Sequence, residues 1–136
     1  MKSGIGNWIA GRWMPSDGVR FQSICPSTGT PFWEGKEATE AEVKGAVEAA
    51  GEAFAAWSQC PIEERCEIIN NYQRLLEQQK ESIANWIGLE TGKPKWEALT
   101  EVQAMIGKVE HSIDSYHKRC QPLAYERGGV RSMTRF

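Results

Sequence analysis

The sequence predicts an α+β fold, in which a β-hairpin or meander is followed by three to four amphipathic α-helices and a short C-terminal strand. Segments rich in tryptophan and isoleucine, separated by glycine and proline, indicate strands in residues 1–36. Apolar residues recur three and four positions apart through residues 39–120, which is typical of helices with one apolar face. Residues 121–136 contain a glycine-rich turn and a last segment that we interpret as a candidate oligomerisation strand.

The N-terminal strands are predicted from two aromatic segments. We interpret Trp8–Trp13 as one strand that bends at Gly11. A second strand, Phe32–Glu34, follows Pro26–Thr30, a segment whose proline, serine, threonine and glycine favour a turn. Together the two segments predict a hairpin or meander.

A helix is predicted to begin at Thr39. Thr39 and Glu42 have the spacing of a capping box, in which each side chain accepts a hydrogen bond from the backbone N–H of the other residue. The apolar residues that follow fall on one stripe of this helix, because their spacing matches the helical period. They are Val43, Val47, Ala50, Phe54 and Trp57.

Prolines and a glycine mark the ends of the later helices. Pro61 is expected at the first position of a second helix, where its missing N–H costs no hydrogen bond. The apolar pattern slips at residues 78–80, which predicts a kink or a short break there. Gly92 is expected to end the helix in a left-handed conformation, and Pro94 prevents its continuation. The last helix begins around Pro94 and ends before Pro122.

These helices also carry apolar stripes. Apolar stripes face a protein core more often than a partner, so we expect core packing. We likewise interpret the six tryptophans as filling space between layers rather than as a ligand platform. The stripes consist of Ile62, Cys66, Ile69, Leu76, Ile83 and Ile87, and then of Ala98, Val102, Met105, Val109, Ile113 and Tyr116.

Composition argues against several classes of partner. The chain has 16 basic and 18 acidic residues and a formal net charge of -2, with no basic stripe, so neither nucleic acid nor a membrane surface is an expected partner. Residues 1–14 lack the apolar core of a leader, and no apolar run approaches the length of a membrane span. The four cysteines are therefore expected to be reduced, in the cytoplasm.

No metal site is expected. Cys60 and Cys66 are too far apart in sequence for a Cys-x-x-Cys pair. His111, His117 and Cys120 share part of a helix surface but leave an ion short of ligands.

Cys60 precedes Pro61, at a predicted helix N-terminus, where the helix dipole lowers the pKa of a thiol. Glu63 and Glu64 oppose that effect. We therefore interpret Cys60 as a small, partly buried side chain rather than a reactive nucleophile.

Several short motifs, taken in their order, resemble the N-terminal part of the aldehyde dehydrogenase superfamily. Trp8–Trp13 is similar to its opening strand, and Pro26–Gly29 to its Asn-Pro-x-Thr-Gly turn, with Cys25 in the usual asparagine position. Phe54-x-x-Trp57 and Pro61-x-x-Glu64-Arg65 resemble the family's join between two helices. Glu90-Thr91-Gly92-Lys93-Pro94 is its most recognisable motif in this region. The resemblance implies that residues 1–136 are a single partial domain, the N-terminal part of a dinucleotide-binding domain from an α/β fold.

Residues 95–119 resemble one subgroup, the N-succinylglutamate 5-semialdehyde dehydrogenases. Its members oxidise their semialdehyde to N-succinylglutamate with NAD in arginine catabolism. The motifs are Lys95-Trp96-Glu97-Ala98, Thr100-Glu101-Val102, Ala104-Met105-Ile106, Ser112-Ile113 and Tyr116-His117-x-Arg119.

The family's chemistry requires segments that this sequence does not contain. A cysteine thiolate attacks the aldehyde, an asparagine stabilises the oxyanion, a glutamate activates water, and a glycine-bearing turn holds the dinucleotide. The sequence has no Asn-Phe-Pro, Glu-Leu-Gly-Gly or Gly-Gln-x-Cys segment and no glycine fingerprint. We therefore expect no catalytic, cofactor-binding or metal-binding residues, with no cofactor for the chain alone and NAD for the complete enzyme.

Glu90 and Lys93 lie within the signature motif, but the family's chemistry needs no group from this region. We expect them to cap helix ends or to pair with a neighbouring segment. Two hypotheses about function remain. One is a catalytically silent N-terminal part of a dehydrogenase. The other is a non-enzymatic helical interaction module, or a truncated remnant, that forms a homo-oligomer through apolar helix faces left without their sheet.

Overall fold

A computed structural model describes residues 2–134, and within them the chain forms seven strands and four helices. The strands are β1 (Lys2–Ser3), β2 (Asn7–Ile9), β3 (Arg12–Met14), β4 (Arg20–Cys25), β5 (Thr30–Lys36), β6 (Leu123–Arg127) and β7 (Val130–Thr134). The helices are α1 (Glu40–Trp57), α2 (Ile62–Gln78), α3 (Lys80–Thr91) and α4 (Lys95–Arg119). The predicted α+β class is confirmed. Over the described residues, no helix is both long enough and apolar enough to span a membrane.

Strands β2 and β3 form a hairpin. The prediction of one bent strand over Trp8–Trp13 is wrong, because β2 and β3 pair in antiparallel fashion. Ala10 and Gly11 have φ angles of 50° and 75°. Two consecutive residues in the left-handed region form the tight turn of a two-residue hairpin. Trp8 and Trp13 then face each other across the strands, with ring centroids 5.3 Å apart.

β1, β5 and β4 form a three-stranded sheet in that order, with β1 parallel and β4 antiparallel to β5. β5 confirms the predicted strand Phe32–Glu34 and extends it on both sides. β4 was not predicted, since its apolar residues do not alternate with polar ones. The pairing register shifts between Ser23 and Ile24, and such an irregularity interrupts the two-residue period on which strand prediction depends.

The indole ring of Trp33 lies over two glycines of this sheet. A Cβ built on Gly4 would lie 2.5 Å from the ring, and one on Gly35 would lie 2.2 Å from it. The ring can therefore pack here only if both positions lack a side chain. Phe21 packs beside the same indole, with ring centroids 5.3 Å apart.

The predicted capping box at the start of α1 is confirmed. The Thr39 N–H donates to Glu42 Oε2 at 2.6 Å, and the Glu42 N–H donates to the Thr39 hydroxyl at 3.3 Å. The buried Ser16 hydroxyl lies 2.8 Å from Glu42 Oε2 and also contacts the Glu37 carbonyl. The Asp17 N–H donates to Glu42 Oε1 at 3.2 Å. These hydrogen bonds, above all the one from the Thr39 N–H, lower the pKa of Glu42.

The later helix ends follow the sequence signals closely. Pro61 precedes α2 with ψ at 147°, so the prediction that it occupies the first helical position is wrong by one residue. The predicted break is confirmed, since only Gln79 separates α2 from α3. Gly92 ends α3 in the left-handed region with φ at 73°, as predicted. α4 follows Pro94 and ends before Pro122, also as predicted.

The core lies where α4 packs against α2 and α3. Ala98, Val102 and Ile106 of α4 are 0%, 0% and 3% exposed. They pack with Leu76 of α2 and Ala84 of α3. The small side chains of the two alanines allow the helix backbones to approach closely. The prediction that the stripe of α4 faces a core is confirmed for Ala98 and Val102, whereas Ile106 was not among the predicted stripe residues.

The equivalent prediction for α1 is wrong, because this helix contains no buried residue. Val47 and Phe54 are 67% and 66% exposed. Among the described residues, the main packing partner of α1 is the short strand β2, which leaves most of its stripe uncovered. A stripe at helical spacing identifies the apolar face of a helix, but the covering element must come from elsewhere in the fold.

The tryptophans also depart from the expectation of core filling. Trp33 and Trp86 are half-buried. The other four are between 45% and 71% exposed, which contradicts the space-filling interpretation at those positions. They are Trp8, Trp13, Trp57 and Trp96.

The C-terminal part forms a second hairpin. β6 and β7 pair in antiparallel fashion around the predicted turn at Gly128 and Gly129. β6 was not predicted, and the predicted strand over residues 130–136 is confirmed as far as Thr134. Its last two residues lie outside the described ones, as does Met1 of the predicted N-terminal range. Every residue of this hairpin is exposed. Its use in oligomerisation stays a prediction.

We expect Ile106→Ala to lower the free energy of unfolding by about 2–5 kcal/mol, because it leaves a cavity between packed helices. Val47→Ala is the matched control, since Val47 is 67% exposed on α1 and its truncation should change stability by less than about 0.5 kcal/mol. Urea unfolding followed by circular dichroism measures both. Equal losses for the two variants would contradict the assigned core.

The strand-to-helix junction should weaken in acid. The pKa of Glu42 is lowered in the folded chain, so its stabilising contribution is present above the unfolded value near 4.5 and is lost as pH falls through the folded value. Glu42→Gln should remove this part of the pH dependence, whereas Glu52→Gln, at an exposed position of α1, should retain it. Thermal unfolding across the acidic range tests this. An unchanged pH profile for Glu42→Gln would refute the assignment.

Candidate functional site

The turn that joins α3 to α4 is the segment that the sequence singles out. The Thr91 hydroxyl donates to the Ile87 carbonyl at 2.7 Å, and the Gly92 N–H donates to the Gly88 carbonyl at 2.9 Å. These bonds satisfy carbonyls at the end of α3. Pro94, with its extended ψ of 148°, then directs the chain into α4. The turn between these two core helices is thus ordered by its own hydrogen bonds.

This turn packs against the turn between β4 and β5. A Cβ built on Gly92 would lie 3.0 Å from Pro26 Cγ and 3.2 Å from Ser27 Oγ. The two segments are far apart in sequence, and each was identified from its own residues. The structure brings them into contact, which explains why a glycine is needed at this point both for its φ angle and for the close approach.

Lys93 is held between two carboxylates of α4. Its ammonium group lies 3.4 Å from Glu97 Oε1 and in direct contact with Glu101 Oε1. The hydrogen bond to Glu101 is the main cause that raises the pKa of Lys93. A protonated amine is neither a base nor a nucleophile. Lys93 therefore ties the turn to the first two turns of α4, as expected from the sequence.

Glu90 lies on the exposed surface of α3. It borders a shallow cleft with Phe21, Trp33 and Trp86. Its carboxylate is exposed, and the other polar side chain in the described lining of the cleft is Ser23, with no cysteine, histidine or second carboxylate there. The absence of a catalytic role for Glu90 stays a prediction.

Cys25 ends β4 and is 6% exposed. Hydrogen bonds from the Thr28 hydroxyl and the Ser27 N–H lower the pKa of its thiol. Burial separates the sulfur from any substrate in solution. The thiol thus accepts hydrogen bonds within the β4–β5 turn, which is the turn that Gly92 contacts.

Cys60 lies before α2, as predicted, and its sulfur is 3.7 Å from Glu64 Oε2. Burial and the negative charge of Glu64 raise the pKa of this thiol. The sequence-based interpretation of Cys60 as a small, partly buried side chain agrees with this environment. Cys66 and Cys120 are also free thiols and are half-buried.

The candidate metal ligands do not assemble into a site. Within residues 2–134, no group of three or more histidine, cysteine, aspartate or glutamate side chains is placed to hold an ion. The ring of His117 instead packs edge-on against Tyr116, with centroids 5.8 Å apart. His111 is exposed on α4.

A groove that the sequence did not predict runs between α2 and α4. It has a volume of about 500 Å³ and is lined mainly by apolar side chains. Ile62 and Ile69 line it from α2, and Met105, Ile113 and Tyr116 line it from α4. All five belong to the stripes predicted as core. The sequence did contain a signal for this groove. The apolar stripes of α2 and α4 are together larger than the surface that the two helices can bury against each other.

Two basic residues line this groove. The Nε atom of Arg65 is buried and has no hydrogen-bond partner among the described residues. Lys108 lines the opposite wall, and no acidic side chain contributes to the described lining. A buried unpaired donor carries a desolvation cost that a bound acceptor would remove. The groove therefore suits an apolar surface that presents a carboxylate or carbonyl.

Comparison with known sequences identifies the family. The sequence profile of the aldehyde dehydrogenase family matches residues 13–135. The chain is 47% identical over 112 residues to the N-succinylglutamate 5-semialdehyde dehydrogenase of Burkholderia mallei (strain SAVP1). The match covers 82% of this chain and 23% of that protein, so the chain spans about a quarter of the length of the curated relatives it matches.

Solved structures show the same arrangement of elements. The aldehyde dehydrogenase of Bartonella henselae superimposes with a TM-score of 0.87 at 23% identity, over 94% of this chain and 27% of that one. The NADP-dependent glyceraldehyde-3-phosphate dehydrogenase of Bacillus halodurans C-125 superimposes with a TM-score of 0.82 at 28% identity, over 90% of this chain and 26% of that one. The strands and helices described above are thus shared with much longer chains.

Gly92→Ala should destabilise the chain by at least about 1 kcal/mol, because alanine is disfavoured in the left-handed region and its Cβ would press against Pro26. Gly107→Ala is the matched control. Nothing lies within 4 Å of a Cβ built on Gly107, inside α4, so that variant should gain about 0.5–1 kcal/mol. Urea unfolding compares the two, and the same sign for both would contradict the described turn.

Proposed function

The chain belongs to the aldehyde dehydrogenase family, and from this premise we propose that it supplies part of an oxidoreductase that converts N-succinylglutamate 5-semialdehyde to N-succinylglutamate. One observation carries the proposal, the 47% identity over 112 residues to the Burkholderia mallei enzyme of that name. We propose NAD as the oxidant of the complete enzyme, and bacterial arginine catabolism as its setting. Both follow from the subgroup that residues 95–119 resemble.

The role of this part is structural, as the N-terminal portion of a dinucleotide-binding domain. The turn at Gly92 packs on Pro26, and Lys93 ties the same turn to α4. These contacts fix α3 and α4 relative to the small sheet. A rigid scaffold of this kind can hold catalytic segments supplied by other sequence in productive geometry.

By itself the 136-residue chain should not oxidise aldehydes. Cys25 is buried and the pKa of the Cys60 thiol is raised, so neither of these two thiols meets the needs of a nucleophile. Glu90 has no cysteine or histidine in the described lining of its cleft, and Lys93 is paired with Glu101. The proposed chemistry therefore depends on groups outside this sequence.

A second candidate function is a non-enzymatic helical module that self-associates. The observation that favours it is the uncovered stripe of α1, where Val43, Val47, Phe54 and Trp57 are all exposed. Exposed apolar patches of this kind commonly mark interfaces between proteins. A homo-oligomer that buries the stripe of α1 would stabilise this surface without any catalytic role.

The mass and activity of the protein made by the source cells distinguish the two candidate functions. An antibody against residues 90–101 captures the product from source cells, and its intact mass and activity are measured. We expect a species several times heavier than 15.3 kDa that forms NADH from NAD and N-succinylglutamate 5-semialdehyde faster than from other aldehydes. The recombinant 136-residue chain should form none above a heat-denatured control. A heavy product that does not oxidise this semialdehyde would refute the substrate, and a 15.3 kDa product would favour the self-associating module.

A further inference from the structure

A second cavity lies where the sheet of β1, β5 and β4 meets the start of the β2–β3 hairpin. Its volume is about 370 Å³, and charged, polar and apolar side chains line it. Residues 4–6, the end of β5 and Arg20 at the start of β4 surround it. The residues described in this lining are different from those of the groove between α2 and α4.

Two positively charged side chains face each other at this cavity. Arg20 of β4 and Lys36 of β5 are directly opposite in the antiparallel register, and both line the cavity. Like charges at opposed positions of a sheet repel each other and destabilise the pairing. Lys36 Nζ lies 3.8 Å from Asp17 Oδ1, but the Asp17 side chain is 95% exposed, so water screens this attraction. A bound anion would relieve the repulsion between Arg20 and Lys36.

Residues 4–6 line the same cavity with backbone as well as side chains. The Gly4 N–H is already used, since it donates to the Glu34 carbonyl at 2.8 Å. Among the described residues, no backbone carbonyl accepts a hydrogen bond from the N–H of Ile5 or Gly6. Successive N–H groups in such a segment can form a concave site for an anion, and glycine lets the backbone approach a ligand closely. These two donors are therefore available to an anion beside residues 4–6.

A carboxylate lines the cavity as well. Glu34 Oε1 accepts a hydrogen bond from the Ser3 hydroxyl at 3.1 Å. Arg20 and Lys36 together carry two positive charges against the one negative charge of Glu34, so the described lining has an excess of positive charge. Glu34 repels an anion and limits the affinity of the cavity for it.

We propose that this cavity binds a phosphate group, free or at the end of a small ester, between the side chains of Arg20 and Lys36 and the backbone of residues 4–6. A phosphate matches two cations and two N–H donors because it carries more charge and more acceptor oxygens than a single carboxylate. Trp33 also lines the cavity and supplies an aromatic surface for the organic part of an ester. This site goes beyond the proposed function and does not depend on it.

Titration with inorganic phosphate tests the proposal. The 136-residue chain is observed by two-dimensional NMR of its amide groups while phosphate replaces chloride at constant ionic strength. We expect saturable shifts of the amide signals of Ile5, Gly6 and Gly35, which line the cavity. The absence of saturable shifts would overturn the proposal.

Phenyl phosphate distinguishes the two sources of the phosphate group. Binding that is tighter by about threefold or more than that of inorganic phosphate, with a shift of the Trp33 indole N–H, would assign the cavity to an ester. Equal affinity would assign it to free phosphate. Phenol is the control, since it lacks the phosphate and should not shift the signals of Ile5 and Gly6. Equal shifts with phenol would overturn the proposal.

Two variants locate the phosphate. Arg20→Gln and Lys36→Gln should each weaken binding by about fivefold or more, because each removes a charge-assisted hydrogen bond. Both should fold, since each relieves the repulsion between opposed like charges, and circular dichroism checks this. Lys44→Gln is the matched control, because the Lys44 side chain is 77% exposed on α1 and outside the described lining. Equal weakening by all three variants would mean an adventitious ion only and would overturn the assigned site.

Glu34→Gln supplies a test of opposite sign. It removes a negative charge from the lining and keeps an acceptor for the Ser3 hydroxyl, so it should tighten phosphate binding several-fold. An unfolded variant cannot give this result. Unchanged or weaker binding by a folded Glu34→Gln chain would overturn the placement of the phosphate. These titrations measure no aldehyde oxidation, so their failure would leave the proposed function standing.

Discussion

The packing of α4 against α2 and α3 is the interaction on which the rest of the structure depends. Ala98, Val102 and Ile106 are the buried residues of α4 in this contact, and the small side chain of Ala84 allows α3 to pack close to α4. This contact fixes the ends of α3 and α4, and so it fixes the turn between them. Because that turn packs on Pro26, the small sheet takes its position from the helical core.

The core is small for the number of apolar residues in the chain. Seven apolar residues of the described chain are buried, whereas four of the six tryptophans and the stripe of α1 are exposed. A domain that buried its apolar surface fully would not present such faces to water. We propose that these exposed faces contact further protein.

At the candidate site, the sequence motifs predicted the roles of residues but not their contact partners. Gly92 and Lys93 could be assigned structural roles from sequence, because a left-handed cap and a charged pair depend on neighbouring residues. The partners could not be named. Pro26 and Glu101 become partners of the turn only because the helices pack as they do. No sequence pattern indicates that the Nε of Arg65 is buried without a hydrogen-bond partner among residues 2–134.

The sequence by itself determined the features that depend on local chemistry. The capping box at Thr39, the break at Gln79 and the end of α3 at Gly92 each arise from hydrogen bonds and dihedral angles within a few residues. The order of the motifs also identified the family. Only the tertiary structure decided which apolar stripes are covered, because burial requires a second surface, and helical periodicity carries no information about where that surface lies. The same reason explains why α4 became core while α1 remained exposed.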